Sequence, residues 1–101
     1  MTIIRGTTPV ISFVFSEVNA ADITVAILTI KQSGETIIEK DLDTATRDET
    51  GISWQLSQAE TLSLSYVPAV VACDWKLATG VRGRSNVVTA TVEASGKNEV
   101  I

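Results

Sequence analysis

The 101-residue sequence contains no histidine and only one cysteine. Without histidine, a cysteine nucleophile lacks its usual general base, and metal binding is left to carboxylates. One cysteine cannot form an intrachain disulfide, which excludes a disulfide-stapled secreted scaffold. No apolar run approaches the roughly 20 residues that cross a bilayer. Residues 1–6 lack the basic and apolar regions of a signal peptide, so we expect none.

Basic residues are also scarce, with 8 lysines and arginines against 12 aspartates and glutamates and a net charge of −4. This balance argues against binding nucleic acid or an anionic membrane through bulk electrostatics. The 45% hydrophobic and 20% charged content is typical of a soluble globular protein with its own core. We therefore expect one domain at residues 1–93, followed by a polar C-terminal segment at residues 94–101.

The segment Val71–Ala78 has the clearest strand pattern in the chain. Its apolar residues alternate with Ala72, Asp74, Lys76 and Ala78, and therefore share one face of a strand. The pattern predicts a central antiparallel strand whose inner face carries Val71, Cys73, Trp75 and Leu77. We expect the core to pack around Trp75, and Cys73 to be a small buried hydrophobic residue.

Several other segments read as strands. They are Val10–Phe15, Ile23–Gln32, Thr36–Leu42, Ile52–Leu56 and Asn86–Val92. In the second of these, the apolar residues occupy both phases, so the sequence leaves open a bulge or burial on both faces. Ser33-Gly34 predicts a tight hairpin turn, and Thr79–Gly83 a second one.

Helix signals are almost absent. Ser57-Gln58-Ala59-Glu60 matches a capping box and predicts one short helical turn between sheets. Tyr66, which follows it, is a candidate for the corner tyrosine of many sandwiches. Asp43–Thr50 is the longest predicted loop. About seven strands and one helical turn predict an all-β antiparallel sandwich, with a small barrel as the alternative.

Gly80–Arg84 is the one concentrated basic feature, and it lacks both the spacing and the following helix of a phosphate-binding loop. Two interpretations stay open: a solubilising hairpin tip, or a contact with acidic residues of a neighbouring copy. The acidic candidates are Glu35, Glu39, Asp41, Asp43, Asp48 and Glu49. Such a head-to-tail contact builds rings or filaments. The candidate interface residues are Arg82, Arg84, Asp41 and Asp43.

Other kinds of site have weaker support. Asp41, Asp43, Asp48 and Glu49 flank the long loop and suggest a Ca²⁺ site, but no Asp-x-Asp-x-Asp-Gly pattern accompanies them. Trp54 and Trp75 suggest a carbohydrate platform, yet both are in phase with apolar neighbours, which favours the core. No group of residues resembles a catalytic constellation. We expect no enzymatic activity, no cofactor, no metal and no small-molecule substrate.

Four segments carry a resemblance to a known family. They are Ile3–Phe15, Leu28–Gln32, Ile37–Lys40 and Trp54–Thr61. They resemble small proteins encoded in phage and prophage tail regions, and they are similar to the N-terminal immunoglobulin-like domain of phage upper baseplate proteins. The resemblance spans roughly residues 3–92.

The resemblance implies an immunoglobulin-like sandwich that serves as a virion structural or adaptor module. Its partners would be other phage tail or baseplate proteins, or further copies of itself. Its location would be the bacterial cytoplasm during assembly and then the virion tail. The alternative is a displayed immunoglobulin-like module that binds carbohydrate or protein.

Overall fold

Two β-sheets enclose a single core in the computed structural model, which describes residues 1–101. The strands are β1 (Thr2–Ile4), β2 (Val10–Val14), β3 (Ile23–Gln32), β4 (Glu35–Asp41), β5 (Thr46–Arg47), β6 (Gly51–Gln55), β7 (Ala69–Leu77), β8 (Arg82–Arg84) and β9 (Val88–Glu93). The α-helix, α1 (Gln58–Leu62), has five residues, and no helix is long and apolar enough to cross a membrane. The structure confirms the all-β sandwich.

The large sheet has the strand order β1-β9-β7-β3-β4, and the small sheet has the order β2-β6-β5. Strand β8 also belongs to the large sheet, because it pairs with β7. β3 occupies one edge of β7, so β8 and β9 share the other edge, β8 beside residues 74–76 and β9 beside residues 69–71. All pairings are antiparallel except β1 with β9, and β1 is a strand that the sequence pattern did not predict.

The centre of the core is Trp54, and the expectation that it would be Trp75 is wrong. Trp54 is completely buried, and its indole Nε1 donates a hydrogen bond to the carbonyl of Asp41 over 2.8 Å, which joins the two sheets. Trp75 is only partly buried and packs edge-to-face on Phe15, with 6.2 Å between ring centroids. Alternation predicted the correct face for Trp75 but not its depth, because Trp75 lines a surface groove beside Phe15.

A β-bulge explains why the sequence did not show which side chains of β3 point toward the core. The register between β3 and β7 shifts between Ile23 and Val25. Ile23 is buried before the shift, and Ala26, Leu28 and Ile30 are buried after it, in the opposite phase. The bulge therefore lets Ile23 face the core together with Ala26, Leu28 and Ile30, while Val25 and Ile27 point to the other face.

Two predicted local motifs are confirmed. Ser33 and Gly34 both have positive φ, 52° and 79°, as a tight hairpin turn of two residues requires. Ser57 Oγ accepts a hydrogen bond from the Glu60 N–H over 3.1 Å, and Glu60 Oε1 accepts one from the Ser57 N–H over 2.8 Å. This capping box starts α1, and Lys40 Nζ lies 3.0 Å from Glu60 Oε1.

Two predicted irregular segments have more structure than expected. The predicted loop Asp43–Thr50 contains most of a 3₁₀ turn, Leu42–Thr44, and the strand β5. At the C-terminus, the Gln58 amide bonds both the N–H and the carbonyl of Ile101, over 2.7 and 3.1 Å. These contacts attach the C-terminal segment to α1.

Tyr66 is not a corner tyrosine. Its hydroxyl accepts a hydrogen bond from the Arg5 side chain over 2.6 Å, and the guanidinium carbon lies 4.8 Å from the centroid of its ring. A buried glutamine holds this loop instead. Gln32 bonds Ser65 N–H, Ser65 carbonyl and Val67 carbonyl over 2.9, 2.8 and 3.0 Å.

Candidate functional site

Arg82, Arg84 and Asp41 of the predicted interface lie on the outer face of the large sheet, and Asp43 follows β4 in the 3₁₀ turn. We use the term outer face for the side chains of β8, β7, β3 and β4 that point away from the core. The strand registers place Arg84, Asp74, Ile27 and Asp41 in one row across these four strands. Three inter-strand spacings separate the ends of the row, which is about 14 Å. The structure therefore places the predicted arginines and Asp41 at opposite edges of one face.

A close backbone contact orients the two arginines. Gly83 faces Trp75 across the β7–β8 pairing, and a Cβ at Gly83 would lie 2.3 Å from Trp75 Cζ2. Arg82 and Arg84 alternate with Gly83 and therefore point outward. The turn before β8 contains Gly80 with φ +92°. The prediction that the arginines occupy a hairpin tip needs correction, because they lie on a strand paired with β7.

The β8 edge of the outer face is basic. Arg82 Nη2 lies 3.7 Å from Asp74 Oδ1, with 75% of the arginine side chain exposed, so this ion pair is solvated and weak. Lys76 pairs with Arg82 in register on the same face, and neither Lys76 nor Arg84 has a carboxylate partner within 4.0 Å. The edge therefore presents a net positive charge.

The opposite edge, along β4, is acidic. Glu39, Asp41 and Asp43 are exposed there. Asp41 Oδ1 accepts a hydrogen bond from the Asp43 N–H over 3.0 Å, which starts the 3₁₀ turn and fixes the two carboxylates beside each other along the chain.

The predicted acidic patch is divided between the two sheets. Asp48 and Glu49 lie in the turn between β5 and β6 of the small sheet. Asp48 Oδ1 accepts hydrogen bonds from Thr50 N–H and Oγ1 and from Gly51 N–H, over 2.8, 2.9 and 2.9 Å. Hydrogen bonds from Thr50 and then from Gly51 lower the pKa of Asp48. Its carboxylate is thus engaged in the turn.

Between the charged edges, the outer face carries four apolar side chains. Val25 and Val70 are 44% and 40% exposed, Ile27 is partly buried, and Ala72 completes the group. Each of them lies beside a polar or charged residue of the neighbouring strand, because the register pairs them with Lys76, Lys31, Asp74 and Thr29. Exposed apolar side chains interspersed with charges are compatible with a protein–protein interface. The sequence pattern gave the strands but could not show this arrangement, because it depends on which strands are neighbours.

The structure gives little support to the alternative metal and carbohydrate sites. No three Asp, Glu, Cys or His residues are grouped so that they could hold a metal ion. Trp54 is buried, and the Trp75 ring lies against the backbone of Gly83 and packs edge-to-face with Phe15. Trp54 is therefore closed to a sugar ring, and Trp75, which is partly buried, offers only part of its surface.

Cys73 is completely buried, as predicted. Burial, together with the neighbouring charge of Asp74, raises the pKa of its thiol to about 12. The thiol therefore stays protonated at neutral pH, and only the thiolate is a good nucleophile or metal ligand.

Comparison with known proteins identifies the fold of the chain. No family model matches the sequence, and no curated protein matches it. Among solved structures, the chain is similar to the immunoglobulin-like domain of mouse leukocyte-associated immunoglobulin-like receptor 1, which crystallised as a strand-swapped dimer. The TM-score is 0.52 at 14% sequence identity, and the match covers 91% of this chain and 85% of the receptor domain. The fold is therefore an immunoglobulin-like sandwich.

Proposed function

We propose that the protein is a non-enzymatic structural component of a phage or prophage particle, in the tail or baseplate or as an adaptor, that works through protein–protein contacts. The observation that carries the proposal is the outer face of the large sheet, which exposes apolar side chains among charged ones between a basic and an acidic edge. The resemblance of four segments to phage upper baseplate proteins supports the particle setting. The immunoglobulin-like fold is compatible with it.

The charges of the outer face favour a head-to-tail contact. Arg84 and Asp41 lie at opposite ends of one row, so translating one copy along that row brings basic β8 beside acidic β4 of the next. Opposite charges across an interface steer association and fix its register. The partner is a further copy of this chain or a tail protein with a matching acidic edge.

Charge reversal tests this contact. We expect Arg84→Glu to weaken self-association severalfold in sedimentation velocity at low salt, and raised salt to weaken the wild type in the same way. Lys97→Glu is the matched control, because Lys97 is an exposed lysine outside the outer face, paired only with Glu99. Mixing Arg84→Glu with Asp43→Lys should restore a mixed complex. An Arg84→Glu protein that associates like the wild type would contradict the contact.

The particle setting needs a separate test. Mass spectrometry of particles purified after prophage induction of a strain that encodes the chain should find it at the stoichiometry of a tail protein. Its absence from particles, with free protein in the lysate, would reject the setting. The alternative, a displayed carbohydrate- or protein-binding module, would then become the leading proposal.

A further inference from the structure

Strand β2 forms an unpaired edge of the small sheet. In its pairing with β6, the Phe15 N–H donates to the Thr50 carbonyl over 2.8 Å, and the Leu56 N–H donates to the Pro9 carbonyl over 2.9 Å. Hydrogen-bonded pairs alternate along an antiparallel ladder, so Ile11 and Phe13 also bond β6. The backbone N–H and C=O groups of the three intervening residues point outward. These residues are Val10, Ser12 and Val14.

This edge lacks the protection that the other edges have. Natural sheets guard their edges with charges, prolines or very short strands. Strand β4 carries Glu35, Glu39, Lys40 and Asp41, whereas β1 and β5 have three and two residues. Strand β2 has five residues and no charge. In addition, Val10 and Val14 expose 57% and 81% of their surface.

The edge is also self-complementary. Val10-Ile11-Ser12-Phe13-Val14 reads apolar, apolar, polar, apolar, apolar in both directions. A two-fold axis at Ser12 would pair Val10 of each copy with Val14 of the other and Ser12 with itself. All three pairs would be hydrogen-bonded pairs, each exchanging two N–H···O bonds. A surface that matches itself about one axis is what an isologous dimer requires.

An open groove lies beside the edge. It encloses about 400 Å³ between β2 and the β8–β9 segment, and Phe15, Trp75 and Val88 contribute to its wall. Strand β1 pairs with β9 only at residues 91–93, which leaves the first half of β9 uncovered on this side. In the antiparallel pairing, residues before Val10 of one copy would lie beside residues after Val14 of the other, at the mouth of this groove.

We propose that the β2 edge is a dimerisation surface, on which a second copy of this chain pairs antiparallel about Ser12 to join two small sheets into one. The proposal is distinct from the head-to-tail contact, which uses edges of the large sheet, although Arg84 also lines the groove beside β2.

A valine-to-lysine variant tests the edge. Sedimentation velocity of the wild type over a range of concentrations should show a dimer, and Val14→Lys should raise its dissociation constant at least tenfold by placing a charge opposite Val10 of the partner. Val81→Lys is the matched control, because Val81 is also exposed (54%) but lies in the turn before β8. Ser12→Pro, which removes the outward N–H at the centre of the pairing, is a second blocking variant.

Amide exchange gives a readout specific to this pairing. The amides of Val10, Ser12 and Val14 should become protected as protein concentration rises, whereas those of Ile11 and Phe13 should be protected at every concentration. Asp43→Lys, which reverses a charge on the acidic edge and away from the groove, should leave this alternation unchanged, and this separates the β2 edge from the head-to-tail contact. A wild type that stays monomeric at NMR concentrations, or a dimer that persists in Val14→Lys without the alternation, would overturn the proposal.

Discussion

We expect the polar side chain of Gln32 to stabilise the folded state, because it is buried and fully hydrogen-bonded to a loop. It is 5% exposed and makes three hydrogen bonds to the backbone of Ser65 and Val67. These bonds attach the loop after α1 to the end of β3. The replacement Gln32→Leu keeps a similar volume but removes both donors and the acceptor.

The magnitude follows from the three bonds. Each contributes about 0.5–1.5 kcal/mol net, and the polar groups left without a partner add a penalty where water does not reach them. Leucine burial offsets part of the loss, so we expect Gln32→Leu to lower the free energy of unfolding by about 2–4 kcal/mol. For a domain of this size, the melting temperature should fall by roughly 10–25 °C.

Urea unfolding followed by circular dichroism measures this change, and Gln58→Leu provides the control. Gln58 also bonds backbone groups through its amide, but those of Ile101 at an exposed site. Gln58→Leu should cost less than about 0.5 kcal/mol. If Gln32→Leu costs no more than Gln58→Leu, the reasoning about the buried amide is refuted.

Two further predictions concern Trp75 and Cys73. Gly83→Ala should lower the free energy of unfolding by about 1–3 kcal/mol, because its Cβ would lie 2.3 Å from Trp75 Cζ2. The control is Gly96→Ala, which should change the free energy of unfolding little because nothing lies within 4 Å of a Cβ there. Equal urea midpoints for the two variants would argue against the contact with Trp75. The thiol pKa of Cys73 is raised to about 12 in the folded state, so the unfolded chain loses this proton at lower pH than the folded protein does. Between about pH 9 and 12 the wild type should therefore lose stability relative to Cys73→Ala, by up to about 1.4 kcal/mol per pH unit. Parallel curves of unfolding free energy against pH for the two proteins would contradict this.

The sequence predicted those parts of the fold that depend on local pattern. Alternation identified the central strand β7 and the inward face of Trp54, and the capping box located α1. The pattern missed β1, because three residues carry no periodicity and its partner lies some 90 positions away. It exchanged the roles of Trp54 and Trp75, because alternation reports the face of a side chain and says nothing of its depth.

The candidate site likewise has a part that local sequence predicted and a part that depends on long-range strand order. The local concentration of basic residues singled out Arg82 and Arg84, and charge singled out the acidic residues. Their arrangement at opposite edges of one face depends on the strand order, which is a long-range property. The same order separated Asp48 from Asp41 by assigning them to different sheets.

The pairing of β1 with β9 has a consequence for synthesis. Ile3 is completely buried and contacts the core from a strand whose only sheet partner is β9, with Ile3 opposite Val92. The residues of β1 are therefore made some 90 positions before the strand that pairs with them. Until β9 has been made, the core lacks the packing that Ile3 supplies, so this domain completes its folding only after β9 has been translated.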